Sequence, residues 1–202
     1  MAARIERLVT SGTFSLDGGT WDVDNNVWLV GDDSEVYVID PAHSPEAIAQ
    51  AVGNRTVKAV LLTHGHDDHI RFARQFADLA QAPVLMNPAD QMLWETLFPG
   101  TTPDGPVSDG DSFEVAGTAL VALHTPGHSP GSTCFYARSL GTVFTGDTLF
   151  NGGPGATGRS FSDFPTIVKS ITERLLVLPA ETVVLTGHGD STTIGAEAPG
   201  IS

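Results

Sequence analysis

Val57-Lys58-Ala59-Val60-Leu61-Leu62-Thr63-His64-Gly65-His66-Asp67-Asp68-His69 runs an apolar segment straight into three imidazoles and two carboxylates. The apolar half predicts a buried strand. The residues after it predict a helix from about Ile70 to Ala80, because Ile70, Ala73, Phe76, Ala77 and Ala80 fall at helical spacing. Strand ends that face helices are where α/β proteins assemble their sites. Neutral imidazole nitrogen and carboxylate oxygen are the donors that zinc, iron(II) and manganese accept, so the cluster reads as a metal site rather than a solvated turn.

Upstream, Arg4 to Val9 alternates polar and apolar residues like an edge strand, and Asp17-Gly18-Gly19 is a turn signal. Asn26 to Gly31 and Glu35 to Asp40 predict a hairpin turning near Asp32 to Ser34. Ser44-Pro45-Glu46 predicts a helix start with Ser44 as its cap, and Gly53 marks the end. Downstream come a short strand at Pro83 to Met86, a helix at Pro88 to Leu97 and a loop at Pro99 to Asp111. Strands follow at Phe113 to Val115, Thr118 to Leu123, Ser132 to Ala137 and Thr142 to Thr145. Asn151 to Ser162 is glycine-rich without apolar period and predicts a mobile loop; Asp163 to Leu178 predicts a helix and Thr182 to Leu185 a last strand. The runs ending near Leu62, Leu123, Thr145 and Leu185 are each followed closely by a metal donor: His64, His128, Asp147 and His188. Strands of one sheet bring such ends together. Without clean βαβ alternation, layered sheets with helices outside fit better than a doubly wound sheet.

The 202 residues suit one domain, taken as 1–202, and contain no repeat or low-complexity tract. A formal net charge of −14, with 24 acidic against 10 basic residues, opposes a nucleic-acid partner. Arg4, Glu6 and Arg7 interrupt the only apolar portion of the N-terminal stretch, so neither a signal peptide nor a membrane anchor is expected and a cytoplasmic location is. Cys134, the single cysteine, is expected to be a buried structural thiol.

His64-x-His66-x-Asp68-His69, Thr125-Pro126-Gly127-His128-Ser129-Pro130-Gly131-Ser132, Gly146-Asp147-Thr148-Leu149-Phe150 and Gly187-His188-Gly189 together resemble the ordered signature of the metallo-β-lactamase fold superfamily. Gly-Asp-Thr-Leu-Phe above all is similar to the glyoxalase II (hydroxyacylglutathione hydrolase) group. The resemblance implies an α/β (α+β) fold, a four-layer αββα sandwich of two mixed sheets with helices outside. It also implies two divalent metal ions, most commonly Zn2+ with iron or manganese as alternatives. On that implication His64, His66 and His128 hold one ion, Asp68, His69 and His188 the other, and Asp147 bridges them, with a bridging hydroxide as nucleophile. Asp68 and Asp147 would be catalytic as proton acceptors, and Asp40 would support a metal-binding histidine from behind; its other reading is a turn acid capping the next helix.

The activity so implied is hydrolysis of a small-molecule thioester of the S-acyl-thiol kind. The chain stops fourteen residues after His188, before the basic helical domain that larger glyoxalase II enzymes use for glutathione, so another thiol carrier or an ester is open. The runner-up is a mononuclear iron persulfide dioxygenase, which resembles the same group and uses the equivalents of His64, His128 and Asp147. A lactonase, another ester hydrolase or a non-catalytic binding module is a lesser alternative. Of the remaining polar residues, Arg159 is the only cation in the loop after Asp147 and is assigned to a substrate carboxylate. His124 is expected to be buried and hydrogen-bonded, while His43 and Asp67 are expected to face solvent.

Overall fold

A computed structural model describes residues 2–201 of the chain. The first sheet has the order β1 (Arg4–Leu16), β2 (Gly19–Gly31), β3 (Glu35–Ile39), β4 (Thr56–Leu61), β5 (Val84–Met86) and β6 (Gly105–Pro106). Its first three strands form an antiparallel meander, and β3 to β6 pair in parallel. The second sheet contains β7 (Ser112–Val115), β8 (Thr118–His124), β9 (Thr133–Ala137) and β10 (Thr142–Gly146). After a small ribbon of β11 (Leu149–Phe150) and β12 (Gly153–Pro154), it is completed by β13 (Val183–Thr186) and β14 (Thr192–Thr193), in the order β14-β13-β10-β9-β8-β7. Here β10 and β13 are parallel and the other pairs antiparallel, so both sheets are mixed.

Strand periodicity sorts the core into layers, because successive side chains leave opposite faces. Along β2 and β3, Val27, Leu29, Val36 and Val38 join a cluster with Ile48, Ala73, Phe76 and Trp94 of the helices. Their neighbours Trp28, Val30, Tyr37 and Ile39 instead meet Leu120, Phe135 and Phe144 of the second sheet. Helices α1 (Pro45–Val52), α2 (Asp67–Ile70), α3 (Ala73–Ala80) and α4 (Gln91–Leu97) supply the first outer layer. Helix α5 (Phe164–Ser170) supplies the second, where Ile167 and Ile171 pack on Cys134, Val143 and Val184. Short α6 (Ile194–Glu197) closes the chain. The result is the expected αββα sandwich.

Several expected boundaries shift. The N-terminal strand extends to Leu16 and pairs residue for residue with β2 up to Leu16 opposite Gly19, far beyond Val9. Ser44 takes a left-handed φ of 54° and makes no side-chain cap, which leaves its carbonyl to accept from Ala47 and Ile48. The helix expected at Ile70–Ala80 starts earlier, breaks at Arg71 and Phe72, and resumes at Ala73. The helix expected at Asp163–Leu178 widens after Ser170 into a π turn, with Leu176 N–H donating to Ile171 O. Widening of this kind leaves no trace in apolar spacing.

The topology decides where chemistry can gather. Strands β3 and β4 are parallel, so Asp40 and the His64 to His69 segment emerge at one edge of their sheet. In the other sheet β8, β10 and β13 run in one direction, so His128, Asp147 and His188 follow strand ends at a common edge. The two edges are stitched together by Thr133 N–H to Thr63 O (2.8 Å), Asn26 N–H to Gly187 O (2.7 Å) and the Trp28 indole N–H to Thr186 O (3.0 Å).

Candidate metal centre

His64, His66 and His128 converge first. His66 Nδ1 lies 3.1 Å from His64 Nε2 and 2.9 Å from His128 Nε2. Asp68, His69 and His188 form a second group, with Asp68 Oδ2 3.2 Å from His188 Nε2 and 3.5 Å from His69 Nε2. Asp147 lies between the groups: its oxygens are 3.4 Å from His69 Nε2, 3.4 Å from His188 Nε2 and 3.6 Å from His128 Nε2. All seven residues assigned from the sequence therefore meet at one place.

The outward-facing ring nitrogens fix the tautomers, which are assigned from their partners. His128 Nδ1 faces Ala156 O at 2.8 Å and His188 Nδ1 faces Asp24 O at 2.8 Å, so each carries a proton there. His69 Nδ1 donates to Asp40 Oδ2 at 2.9 Å. The Thr63 hydroxyl donates to the other side of the same Asp40 oxygen at 2.6 Å, which leaves Thr63 Oγ1 to accept from His64 Nδ1 at 3.1 Å. Thr63 N–H holds Asp40 Oδ1 at 2.8 Å. Asp40 thus supports His69 directly and His64 through Thr63; it does not cap the following helix. Such outer partners orient a ligand and raise its basicity.

With one proton of each committed outward, the Nε2 atoms of His64, His69, His128 and His188 point inward at one another and at the carboxylates of Asp68 and Asp147. From outside the ligand set the Asn25 amide supplies an inward donor, to Asp68 Oδ2 at 3.0 Å. Among the described residues Asp147 Oδ1 is buried without a well-formed hydrogen bond, His69 Nε2 lying 3.4 Å away. A cluster of converging acceptors is costly when dry and unpaired, and a cation resolves it. The donor chemistry therefore fits metal ions, with three nitrogens in one set and two nitrogens with one carboxylate in the other.

Electrostatics sort the same groups. Burial, together with neighbouring imidazoles, pushes His64 well below the usual histidine range and His66 down to about 3, so both stay neutral. Burial also opposes protonation of His188, yet Asp147 and Asp68 lift it to about 10. His69 is raised well above its ordinary value, burial being outweighed by Asp68, Asp147 and Asp40. Burial works against ionising the carboxylates, but His69 and His188 hold Asp68 at about 2 and Asp147 well below the normal range. Protons and metal ions therefore compete for His69 and His188, whereas burial keeps His64 and His66 neutral and able to donate to a metal ion.

Four residues depart from expectation or escaped it. His43 is buried, its Nε2 3.1 Å from Asn25 Oδ1, so it braces the amide that holds Asp68. Asp67 is also buried: it accepts from Ser15 N–H at 2.9 Å and pairs with Arg71, tying α2 to the β1–β2 hairpin. Neither faces solvent, because the ligands form a helical turn against that hairpin rather than an alternating strand. Asn25 carried no spacing signal. Asp90, fully buried, accepts from Gly65 N–H (2.8 Å), Ser129 Oγ (2.6 Å) and Gly131 N–H (2.5 Å), joining the loop of His64 and His66 to that of His128. His124 is half-buried and faces Pro130 O at 2.9 Å, away from the cluster.

The expected mobile loop is tethered: its β12 pairs with β11 immediately before it, and the Asp17 carboxylate accepts from Ser160 N–H (3.0 Å) and Oγ (2.7 Å). Between this loop and the hairpin opens a cavity of about 260 Å³, with His66, Asp68, His128, Asp147 and His188 on its lining and Arg159 among the loop residues.

Backbone packing leaves the centre no slack. A Cβ on Gly187 would lie 2.2 Å from Asp147 Oδ1 and 2.9 Å from His69 Cε1. Gly187→Ala is expected to weaken metal retention about tenfold or more while the protein stays folded, as displaced ligand supports usually do; competition with a chelator measures it, and unchanged retention would show that Asp147 can move freely. Cys134 is fully buried and pushed up to about 11, burial outweighing its hydrogen bond from Thr125. A thiol reagent at pH 8 is expected to leave the native chain unlabelled and to titrate Cys134 only after unfolding.

A two-sheet sandwich with a histidine and aspartate cluster at the shared sheet edge is the arrangement of one fold class built around a metal site. The chain belongs to the metallo-β-lactamase superfamily, whose family model matches residues 20–188. It is 33% identical over 188 residues to the hydroxyacylglutathione hydrolase GloC of Haemophilus influenzae, covering 85% of this chain and 89% of that one. Among solved structures, TTHA1623 in a di-iron-bound form is 34% identical with a TM-score of 0.77, covering 87% of this chain and 93% of that one. The B3 metallo-β-lactamase BLEG-1 is 29% identical with a TM-score of 0.78, covering 94% and 97%. No helix among the described residues is long and apolar enough to cross a membrane.

Proposed function

We propose that the protein hydrolyses a small S-acyl thioester at a centre holding two divalent ions. The observation that carries this reading is the pair of donor sets, His64/His66/His128 and Asp68/His69/His188, with Asp147 against both. Similarity to GloC supports the thioester bond as the target, and the di-iron relative supports iron beside zinc as an ion these donors accept. Bound there, the ions supply a nucleophile from water near neutral pH and polarise the acyl carbonyl.

The chain's own groups do the rest. Asp68 lines the cavity, and Asn25, braced by His43, aims its Oδ2. A carboxylate so placed takes the proton released on attack and returns one to the departing thiolate. Asp147 keeps both donor sets in register and is the alternative acceptor. Asp40 holds the tautomers of His69 and His64, and Phe14, Trp21 and Val23 wall the cavity against water. Arg159 is assigned to a substrate carboxylate. A freely diffusing small molecule suits the cavity, and the charge of −14 suits neither nucleic acid nor an anionic membrane surface.

Purified protein analysed for metals and assayed against a panel of acyl thiols, S-lactoylglutathione among them, tests the proposal. About two ions per chain with hydrolysis is the expected result. One iron per chain, with oxygen uptake on glutathione persulfide and no hydrolysis, would replace it with the dioxygenase reading.

A further inference from the structure

The Arg159 guanidinium lies over the Trp21 ring, its Cζ 3.9 Å from the centroid, and 5.1 Å from the centroid of Phe14. Phe14 and Trp21 themselves stack at 5.8 Å on facing strands of the β1–β2 hairpin. Such stacking holds a guanidinium by its face and leaves its N–H edges free, a geometry lysine does not reproduce. Among the described residues no carboxylate lies within ion-pair distance of it: the nearby Asp17 carboxylate feels its charge but accepts its hydrogen bonds from Ser160 N–H and Oγ. Arg159 is the sole lysine or arginine on the cavity lining, in a chain whose net charge repels anions. Beside it, Phe14, Trp21, Val23 and Ala156 make the wall apolar.

We propose that the hairpin and the loop after Asp147 form one recognition unit for an anionic acyl group: Trp21 and Phe14 present Arg159, Asp17 and Ser160 hold the two segments together, and the ligand carries a carboxylate joined through a short apolar chain to the bond that is cleaved. Trp21 is then a specificity residue that acts through Arg159. That this ligand is a thioester rests on the hydrolase reading; the anion subsite does not.

The test separates the two. Binding of a thioether pair, S-(3-carboxypropyl)-N-acetylcysteamine and its primary amide, to the metal-loaded full chain is measured by calorimetry, since thioethers cannot be hydrolysed. The carboxylate is expected to bind about tenfold tighter than the amide. Arg159→Gln is expected to bring the ratio to about one, and Trp21→Leu to lower it severalfold with the cation still present. Equal binding of the pair by the wild type, or a ratio unmoved by Arg159→Gln, overturns the subsite, the latter placing the carboxylate on the metal ions. The matching S-succinyl and S-succinamoyl thioesters are then assayed for turnover. A selective binding ratio without cleavage removes the hydrolase reading and keeps the subsite; cleavage of both thioesters without discrimination, with equal thioether binding, does the reverse.

Discussion

Asp147→Ala is expected to lower thioester turnover by about a thousandfold, equivalent to about 4 kcal/mol of lost transition-state stabilisation, and to cut the bound ions from two per chain to one or none. No other carboxylate in the cluster touches both donor sets. Its oxygens lie within 3.6 Å of His69, His128 and His188, residues carried by a helix and two different loops. Removing it leaves the inward imidazole nitrogens facing one another with less negative charge to offset bound cations, so both affinity and the spacing of the sets suffer. Its own site is prearranged: Gly187 leaves room for Oδ1, and Gly146, at φ 49°, lets the strand turn beside Thr63. Metal content by mass spectrometry and kcat/KM on one preparation decide the matter. Asp147→Asn keeps the volume while removing the charge and one acceptor oxygen. Retention of two ions with kcat/KM within tenfold of wild type would show that Asp147 bridges nothing.

What made Asp147 visible beforehand was its place immediately after an apolar run, a property shared by His64 and nearly shared by His128 and His188. Parallel strands turn that linear coincidence into a spatial one, because β8, β10 and β13 must deliver their ends to the same edge. The layers were legible for a related reason: alternation along Val27 to Val30 and Val36 to Ile39 serves two cores at once. Of the residues that act one contact behind the ligands, Asp40 came from the family resemblance and the others were not legible. Asn25 and Asp90 are single polar residues whose partners lie tens of positions away, and no periodicity or motif marks them. Asp67 and His43 were misread because a polar side chain between ligands, or in a loop, faces water only if no other element packs there. Here the extended hairpin does pack there, and its length beyond Val9 was the part of the fold the alternation of residues 4–9 did not reveal. Arg159 was singled out by charge, whereas its platform, Trp21 and Phe14, became apparent only when hairpin and loop met.

Asp90→Asn is expected to weaken metal binding at the His64/His66/His128 set by about 10- to 100-fold, the usual range for loss of an outer support, with far less effect on Asp68/His69/His188. Burial pushes the Asp90 carboxyl up, but Ser129, Gly131 and Gly65 oppose that by donating to its ionised form. Oδ1 serves Gly131 and Oδ2 serves Gly65 and Ser129. An asparagine amide can be turned either way, and each way sets its NH2 against a backbone N–H. One buried donor is then unpaired, at a cost of about 1–3 kcal/mol, and one of the two ligand loops moves. If Oδ1 becomes the NH2, the Gly131 side shifts and carries His128 with it; if Oδ2 does, the Gly65 side shifts and carries His64 and His66. Both alternatives strike the first set, since the second is held by Asp40, Asn25 and the Asp24 carbonyl, none of which touches Asp90. Cobalt(II) distinguishes the sets by its absorption spectrum during titration, and circular dichroism of the variant checks that it folds. Equal weakening of both sets would make Asp90 a general element of stability, whereas selective loss of the all-histidine set would make it the tie that positions three imidazoles around one ion.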